Sequence, residues 1–135
     1  MKYNILIKIF IVMFLSLELF AGIGKVAAMR GDAYIERNGS KIPLKMGAVV
    51  EKEDTIFTKD KTKVQIIFED RTIVTIGKKS QFSIKNYLFS EEAPVAEFSL
   101  AQGIFKSVTG KIGKIAPDRF KIRTKTATIG IRGTV

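Results

Sequence analysis

Apolar and polar side chains alternate over short stretches from Lys25 onward, as they do in β-strands with one buried face. In the stretch 64–69, for example, Val64, Ile66 and Phe68 share one side. Strand signals recur at roughly the 8–12-residue spacing of sandwiches and barrels. No stretch shows a convincing helical period of 3.6 residues. The pattern predicts an all-β domain of short antiparallel strands, arranged as a sandwich or roll.

Turn-forming residues place several strand boundaries. Asn38-Gly39 predicts a hairpin that joins Tyr34–Arg37 to Ser40–Leu44, because this dipeptide accepts the positive φ of a tight turn. Pro43 cannot donate to a ladder, so the second arm is expected at a sheet edge. The Gly- and Lys-rich stretch 109–120 is interpreted as a flexible connection whose lysines keep an edge soluble.

The alternation changes phase near the C-terminus. Phe120 and Ile122 occupy even positions, whereas the apolar residues at 127, 129 and 131 occupy odd ones. Because side chains alternate with period two, a bulge or bend must lie between these segments. We therefore expect residues 120–124 and 127–131 to form the two legs of a corner.

The first 21 residues resemble an export signal. Lys2 and Lys8 precede an apolar run from Ile9 to Leu17, and Ala21-Gly22 offers small residues for cleavage. The run is shorter than the roughly 20 residues of a membrane-spanning helix. The sequence therefore predicts a signal peptide at 1–21 with cleavage after Ala21, followed by one domain at 22–135. An uncleaved membrane anchor facing the periplasm remains the alternative.

Composition excludes several kinds of chemistry. The chain contains neither Cys nor His, so nucleophilic Cys-His and Ser-His-Asp arrangements and Cys-ligated zinc are excluded. No cofactor and no metal is expected. The formal net charge is +10, but export argues against a nucleic-acid partner. Because the lysines are scattered along the chain, solubility is favoured over attraction to anionic lipid, polysaccharide or an acidic protein.

Carboxylates are the remaining candidates for catalysis. Asp54, Asp70 and Asp118 each lie in or beside a predicted turn, and paired carboxylates could hydrolyse a glycan. The simpler interpretation is that each Asp accepts a hydrogen bond from its own turn. Glu51, Glu53 and Asp54 lack the ligand spacing of an EF-hand calcium site. We therefore expect no enzymatic activity, and a carboxylate-dependent envelope hydrolase is the lower alternative.

The ordered motifs resemble the FecR domain, named after the ferric-citrate regulator. The stretches that carry the resemblance are "LKMGAVVEKEDTIFT", "VQIIFEDRTIVTIG", "FSLAQGIFKSV" and "TKTATIGIRGTV". Arg71 stands where the family often has Gly, which suggests another turn type, and Lys125 replaces a usual Pro. Family members also normally continue beyond the Arg-Gly-Thr, so the C-terminal end is expected to be truncated. The residues that match the family signature, expected to be mainly structural, are Gly47, Asp54, Thr58, Phe68, Asp70, Gly103, Gly130, Arg132, Gly133 and Thr134.

The resemblance implies a non-enzymatic, all-β module outside the cytoplasm. Founding members sense an outer-membrane receptor and carry a cytoplasmic anti-sigma segment before a membrane helix. Only eight residues precede the apolar run here, too few for such a segment. The expected function is an exported interaction or sensing module that binds an envelope protein or polysaccharide, with membrane contact only through an uncleaved N-terminal segment. A membrane-anchored signal-transduction component is the alternative. Arg132 is expected to pair with a carboxylate or cap nearby carbonyls.

Overall fold

The computed structural model describes residues 22–125 and 128–130, which form two β-sheets packed face to face. The five-stranded sheet has the order β10-β7-β6-β1-β4, and the seven-stranded sheet has the order β12-β11-β9-β8-β5-β2-β3. The all-β prediction is confirmed. The strands are β1 (Gly24–Arg30), β2 (Ala33–Arg37), β3 (Ser40–Pro43), β4 (Val49–Val50), β5 (Thr55–Thr58), β6 (Lys63–Phe68), β7 (Ile73–Ile76), β8 (Gln81–Leu88), β9 (Val95–Gln102), β10 (Phe105–Val108), β11 (Phe120–Thr124) and β12 (Thr128–Gly130).

The core lies between the sheets and has an aromatic centre. Phe68 of the five-stranded sheet lies 5.1 Å from Phe98 of the other sheet, measured between ring centroids. Phe98 also contacts Phe82 at 5.3 Å and Phe120 at 5.7 Å. These contacts follow from the alternation in the sequence, which turns one row of each strand toward the opposite sheet.

The predicted hairpin is confirmed. Asn38 and Gly39 have φ of 51° and 78° between β2 and β3. These paired positive values are those of a type I′ turn, which matches the twist of the flanking strands. The Pro43 strand, β3, lies at an edge of the seven-stranded sheet, as expected.

Two predictions near the C-terminus are wrong. The stretch interpreted as a flexible connection contains a short helix, Lys111–Ile115, and a 3-10 helix, Pro117–Arg119, and Ile112 is fully buried. The expected corner is a hairpin instead, because β11 pairs antiparallel with β12 and Ile122 lies opposite Ile129. A five-residue helix is too short to show a period in the sequence.

One strand pairing also differs from the expectation. Every pairing among the described strands is antiparallel except that of β9 with β11, which is parallel. Strand β10 in the other sheet and the two short helices together form the crossover that a parallel pairing needs. The sequence pattern could not show this, because alternation reports burial and not strand direction.

The turn between β6 and β7 retains a glycine-like conformation despite its Arg71. Arg71 has φ of 73°, in the left-handed region that Gly adopts without strain. The expectation of another turn type is therefore wrong. The Arg71 N–H donates to the Phe68 carbonyl at 3.0 Å, which closes the turn.

We predict that Arg71→Gly stabilises the fold. A left-handed φ costs a non-glycine residue about 1–2 kcal/mol, and Gly adds chain entropy to the unfolded state worth about 0.4–1 kcal/mol. The net increase in the free energy of unfolding should be about 0.5–1 kcal/mol, measured by urea denaturation. Glu69→Gly is the control, because its φ is not positive. It should destabilise, and equal effects of the two changes would refute the strain argument.

Candidate binding surface and its structural supports

Asp70 is the centre of a buried hydrogen-bond network. Its carboxylate is fully buried. It accepts hydrogen bonds from the Tyr87 hydroxyl at 2.6 Å and from the Ile112 N–H at 3.0 Å. The N–H and the hydroxyl of Thr72 donate to it at 3.2 and 2.8 Å. A carboxylate has about four lone-pair positions, and all of them are occupied by protein donors.

The same network ties three distant parts of the chain together. The Tyr87 hydroxyl accepts the Asp70 N–H at 3.0 Å as well as donating to its carboxylate. The Lys111 N–H donates to the Asp70 carbonyl at 2.8 Å, and the Gly110 N–H donates to the Thr72 hydroxyl at 3.1 Å. Burial, and then the hydrogen bond to Asp70, raise the pKa of the Tyr87 hydroxyl, which therefore stays protonated as a donor.

Gly110 is required here for steric reasons. A Cβ at this position would lie 2.1 Å from the Asp70 carbonyl oxygen and 2.4 Å from the Thr72 nitrogen. The close approach of backbone to backbone lets the short helix present its N–H groups to Asp70.

Asp54, the second signature carboxylate, is also fully buried. The Arg37 guanidinium binds both of its oxygens, with Nε on Oδ1 and Nη2 on Oδ2, each at 2.8 Å. The Glu51 N–H donates to Oδ2 at 2.8 Å, so Asp54 also closes its own turn. The hydrogen bond to Asp54 raises the pKa of Arg37. This bidentate geometry is the strong form of an ion pair.

Thr58 and Gly103 meet at Ser80, a residue that the sequence did not single out. The Thr58 hydroxyl donates to the Gly77 carbonyl at 2.6 Å and accepts the Ser80 N–H at 2.8 Å. The Ser80 hydroxyl accepts the Ile104 N–H at 3.0 Å. Gly103 has φ of 102°, and its Cβ would lie 2.0 Å from Ser80 Oγ. The arrangement joins the start of β8 to the bend between β9 and β10.

The remaining signature residues serve the fold or lie outside the described residues. Phe68 belongs to the aromatic core. Gly47 has φ of 85°, and its N–H donates to the Val26 carbonyl at 2.8 Å. Gly130 pairs with Lys121 in the β11–β12 ladder. Arg132, Gly133 and Thr134 lie outside the described residues, as do the predicted signal peptide at 1–21 and the expected truncated end.

The three carboxylates proposed for hydrolysis have different surroundings in the structure. Asp54 and Asp70 each accept a hydrogen bond from their own turn, as the simpler interpretation predicts. Their other partners, Arg37 and Tyr87, were not found because they are 17 residues away in the sequence. Asp118 is exposed in the 3-10 helix, beside an open groove that Glu91 and Glu92 also line. Within residues 22–125 and 128–130, no group of carboxylates has an arrangement that could hold a metal ion.

An aromatic pair lies on the outer face of the seven-stranded sheet, and its two rings stack on each other. Tyr34 and Phe57 stack at 4.9 Å with an interplanar angle of 12°. The Lys41 ammonium lies 5.1 Å from the centre of the Tyr34 ring. Each ring therefore has a protein partner, and the pair is explained by cross-strand packing.

Two open surfaces belong to the five-stranded sheet. The first is the edge strand β10, which is bordered by Ile104 and Val108, with exposures of 60% and 53%. The second is a groove of about 500 Å³ across the outer face of β1, β6, β7 and β10. Arg30, Lys63 and Lys106 line this groove, which we call the cationic groove.

The family to which this two-sheet module belongs is identified by comparison with known proteins. The chain is a two-sheet β-module with structural buried carboxylates, and the sequence model described as "FecR protein" matches residues 54–135. The chain therefore belongs to the FecR family, as predicted. This is a regulatory family whose members face the periplasm in envelope signalling. Neither the curated proteins nor the solved structures contain a match. No helix within the described ranges is long and apolar enough to cross a membrane.

We predict that Tyr87→Phe destabilises the protein by about 1.5–3 kcal/mol, the contribution of a hydrogen bond to a charged group. The change removes the 2.6 Å donor to Asp70 and keeps the ring in the core. Tyr34→Phe is the matched control, because the described residues show no hydrogen bond from its hydroxyl, and it should change stability by less than about 0.5 kcal/mol. Similar urea midpoints for the two variants would contradict the proposed importance of the network.

We also predict that two signature glycines differ in their tolerance of Ala. Gly47→Ala meets nothing within 4 Å and should cost only the strain of its φ, about 1–2 kcal/mol. Gly103→Ala adds the clash with Ser80 and should cost about 1–3 kcal/mol more. Thermal or urea unfolding measures both changes. Equal losses would show that Ser80 moves away freely.

Proposed function

We propose that this FecR-family chain is an exported sensing module of the bacterial cell envelope, which acts by binding a protein partner and not by catalysis. Family membership supports a regulatory role outside the cytoplasm. Asp54 and Asp70 support a non-catalytic role, because both carboxylates are fully buried and accept hydrogen bonds from protein donors, three at Asp54 and four at Asp70. Asp118 is the remaining carboxylate of the hydrolase alternative.

The observation that carries the proposal is the open edge of β10. The Gly77 N–H donates to the Ile104 carbonyl at 2.8 Å. By the alternation of an antiparallel ladder, the N–H and C=O groups of Lys106 then point to β7, and those of Phe105 and Ser107 point away from it. Within the described part of the chain, these outward amides have no hydrogen-bond partner. An extended peptide can add to such an edge as a further strand.

The side chains around this edge fit a protein partner. Ile104 and Val108 are exposed apolar residues at the two ends of β10. Backbone hydrogen bonds would supply affinity for an added strand, and these side chains would supply apolar contacts. We therefore assign the partner to the class of proteins with an available extended segment.

The test compares Ser107→Pro with Ser107→Ala in the full chain, using crosslinking in intact cells. Proline removes the outward N–H that an added strand needs, while its φ is tolerated at an edge. Alanine removes only the hydroxyl, which is buried without a partner among the described residues. We expect one crosslinked envelope protein for the wild type and Ser107→Ala, and at least about a tenfold loss for Ser107→Pro.

A second variant protects the test against misfolding. Ile104→Lys places a charge at the apolar end of the edge and should also reduce crosslinking, with an unchanged melting temperature. If crosslinking survives both changes in folded protein, the β10 edge is not the binding surface. Loss of an envelope glycan-hydrolysing activity in Asp118→Asn would favour the hydrolase instead.

Export is a separate part of the proposal. Residues 1–21 would direct the chain across the membrane, with cleavage after Ala21. N-terminal sequencing of the exported protein distinguishes this from the anchored alternative, since cleavage there makes Gly22 the first residue.

A further inference from the structure

The cationic groove brings together three basic residues that are far apart in the sequence. Arg30 of β1 and Lys63 of β6 are direct cross-strand partners on the outer face of the five-stranded sheet. Lys106 of β10 lies opposite Thr75 of β7 on the same face. All three basic residues are exposed, and no Asp or Glu lines the groove.

This arrangement is unfavourable for the free protein. Like charges directly opposite each other on a sheet destabilise the pairing. Among the described residues, no carboxylate forms an ion pair with Arg30, Lys63 or Lys106. The ion pairs found there involve Arg37 and Lys79 instead. The cluster therefore adds electrostatic repulsion that an anionic ligand would relieve.

The floor of the groove combines hydrogen-bonding and apolar side chains. Gln65 lies opposite Thr75 across β6 and β7, and Ala28 lies opposite Gln65 on β1. The Gln65 amide and the Thr75 hydroxyl can contact hydroxyl groups of a ligand, and the small side chain of Ala28 leaves room above the sheet. Met29 is the one large apolar side chain in the lining, and it is half-buried and packs against the core, so the groove offers little apolar surface for insertion into lipid.

We propose that the cationic groove binds an anionic polysaccharide. Arg30, Lys63 and Lys106 would contact its acidic groups, and Gln65 and Thr75 would contact its hydroxyls. The combination of unpaired cations with hydrogen-bonding groups and little exposed apolar surface favours a polyhydroxylated chain over a membrane surface. The groove shares Lys106 with β10, but it uses that side chain on the outer face of the sheet and not the outward backbone groups of Phe105 and Ser107, so it does not depend on the edge proposal.

The test measures binding of the full chain to polygalacturonate, with neutral dextran of similar length as the uncharged probe. The test variant combines Arg30→Gln, Lys63→Gln and Lys106→Gln. The matched control combines Lys52→Gln, Lys78→Gln and Lys114→Gln, three exposed residues outside the groove. Both variants lose the same net charge, so the comparison isolates position.

We expect the wild type and the control to bind polygalacturonate and not dextran. The groove variant should bind polygalacturonate about tenfold more weakly, because it loses three exposed ion pairs and each contributes only a small binding free energy. Its affinity should also vary less with salt, because fewer counterions are released on binding. Its melting temperature should equal or exceed that of the wild type, since repulsion between Arg30 and Lys63 is removed. A loss of affinity without a loss of stability is not expected of a structural cluster.

Other outcomes overturn the inference. Equal weakening in the control variant would show that only net charge matters. Binding to phosphatidylglycerol vesicles but not to polygalacturonate would identify a membrane surface instead. Ser107→Pro should retain polygalacturonate binding, so failure of the edge proposal and failure of the groove proposal remain distinguishable.

Discussion

The buried carboxylate of Asp70 is the constraint on which the rest of the fold depends. A buried charge is tolerated only when hydrogen bonds from the protein replace those that water would make. Asp70 obtains them from its own turn, from Tyr87 on the opposite sheet and from Ile112 in the short helix. These donors come from separate elements. The hydrogen bonds to this one carboxylate therefore hold both sheets, and the crossover that leads to β11, in fixed relative positions. Beyond the crossover, β11 pairs in parallel with β9.

The FecR signature, where the structure describes it, is mostly a set of such internal constraints. Asp54 holds Arg37, Thr58 and Gly103 converge on Ser80, and Phe68 fills the aromatic core. These positions stabilise the sandwich from within and leave its outer faces and edges free to vary. We therefore expect partner choice to depend on residues outside the described part of the signature. The family match therefore establishes the fold and its regulatory class, while the partner has to be inferred from the surface.

How far the sequence predicts this structure depends on the range of the interactions involved. Period-two alternation correctly places the strands around Val64, Val74 and Phe98, because alternation reports burial of one face. The hairpin at Asn38-Gly39 is also predicted correctly, because its turn depends on two adjacent residues that accept positive φ. The helix at Lys111–Ile115, the β11–β12 hairpin and the partners of the two aspartates are missed. The helix and the partners of the aspartates depend on hydrogen bonds between residues far apart in the sequence, such as Ile112 with Asp70. The β11–β12 hairpin is local, but a change of phase indicates only that the chain bends and not that the two strands pair. Likewise, the left-handed Arg71 is imposed by its turn and not by its own preference.

The basic character of the chain illustrates the same limit at the surface. In the sequence the lysines are scattered, which favours solubility as their explanation. Strand register places Arg30, Lys63 and Lys106 on one face, although they come from three strands and two of them are 76 residues apart (106 − 30). Solubility would be served equally well by cations spaced apart or interleaved with carboxylates, and neither arrangement carries the repulsion of a direct like-charge pair. Solubility therefore accounts for a basic protein, but it does not account for three unpaired cations in one groove, and this is the reason for proposing an anionic ligand there.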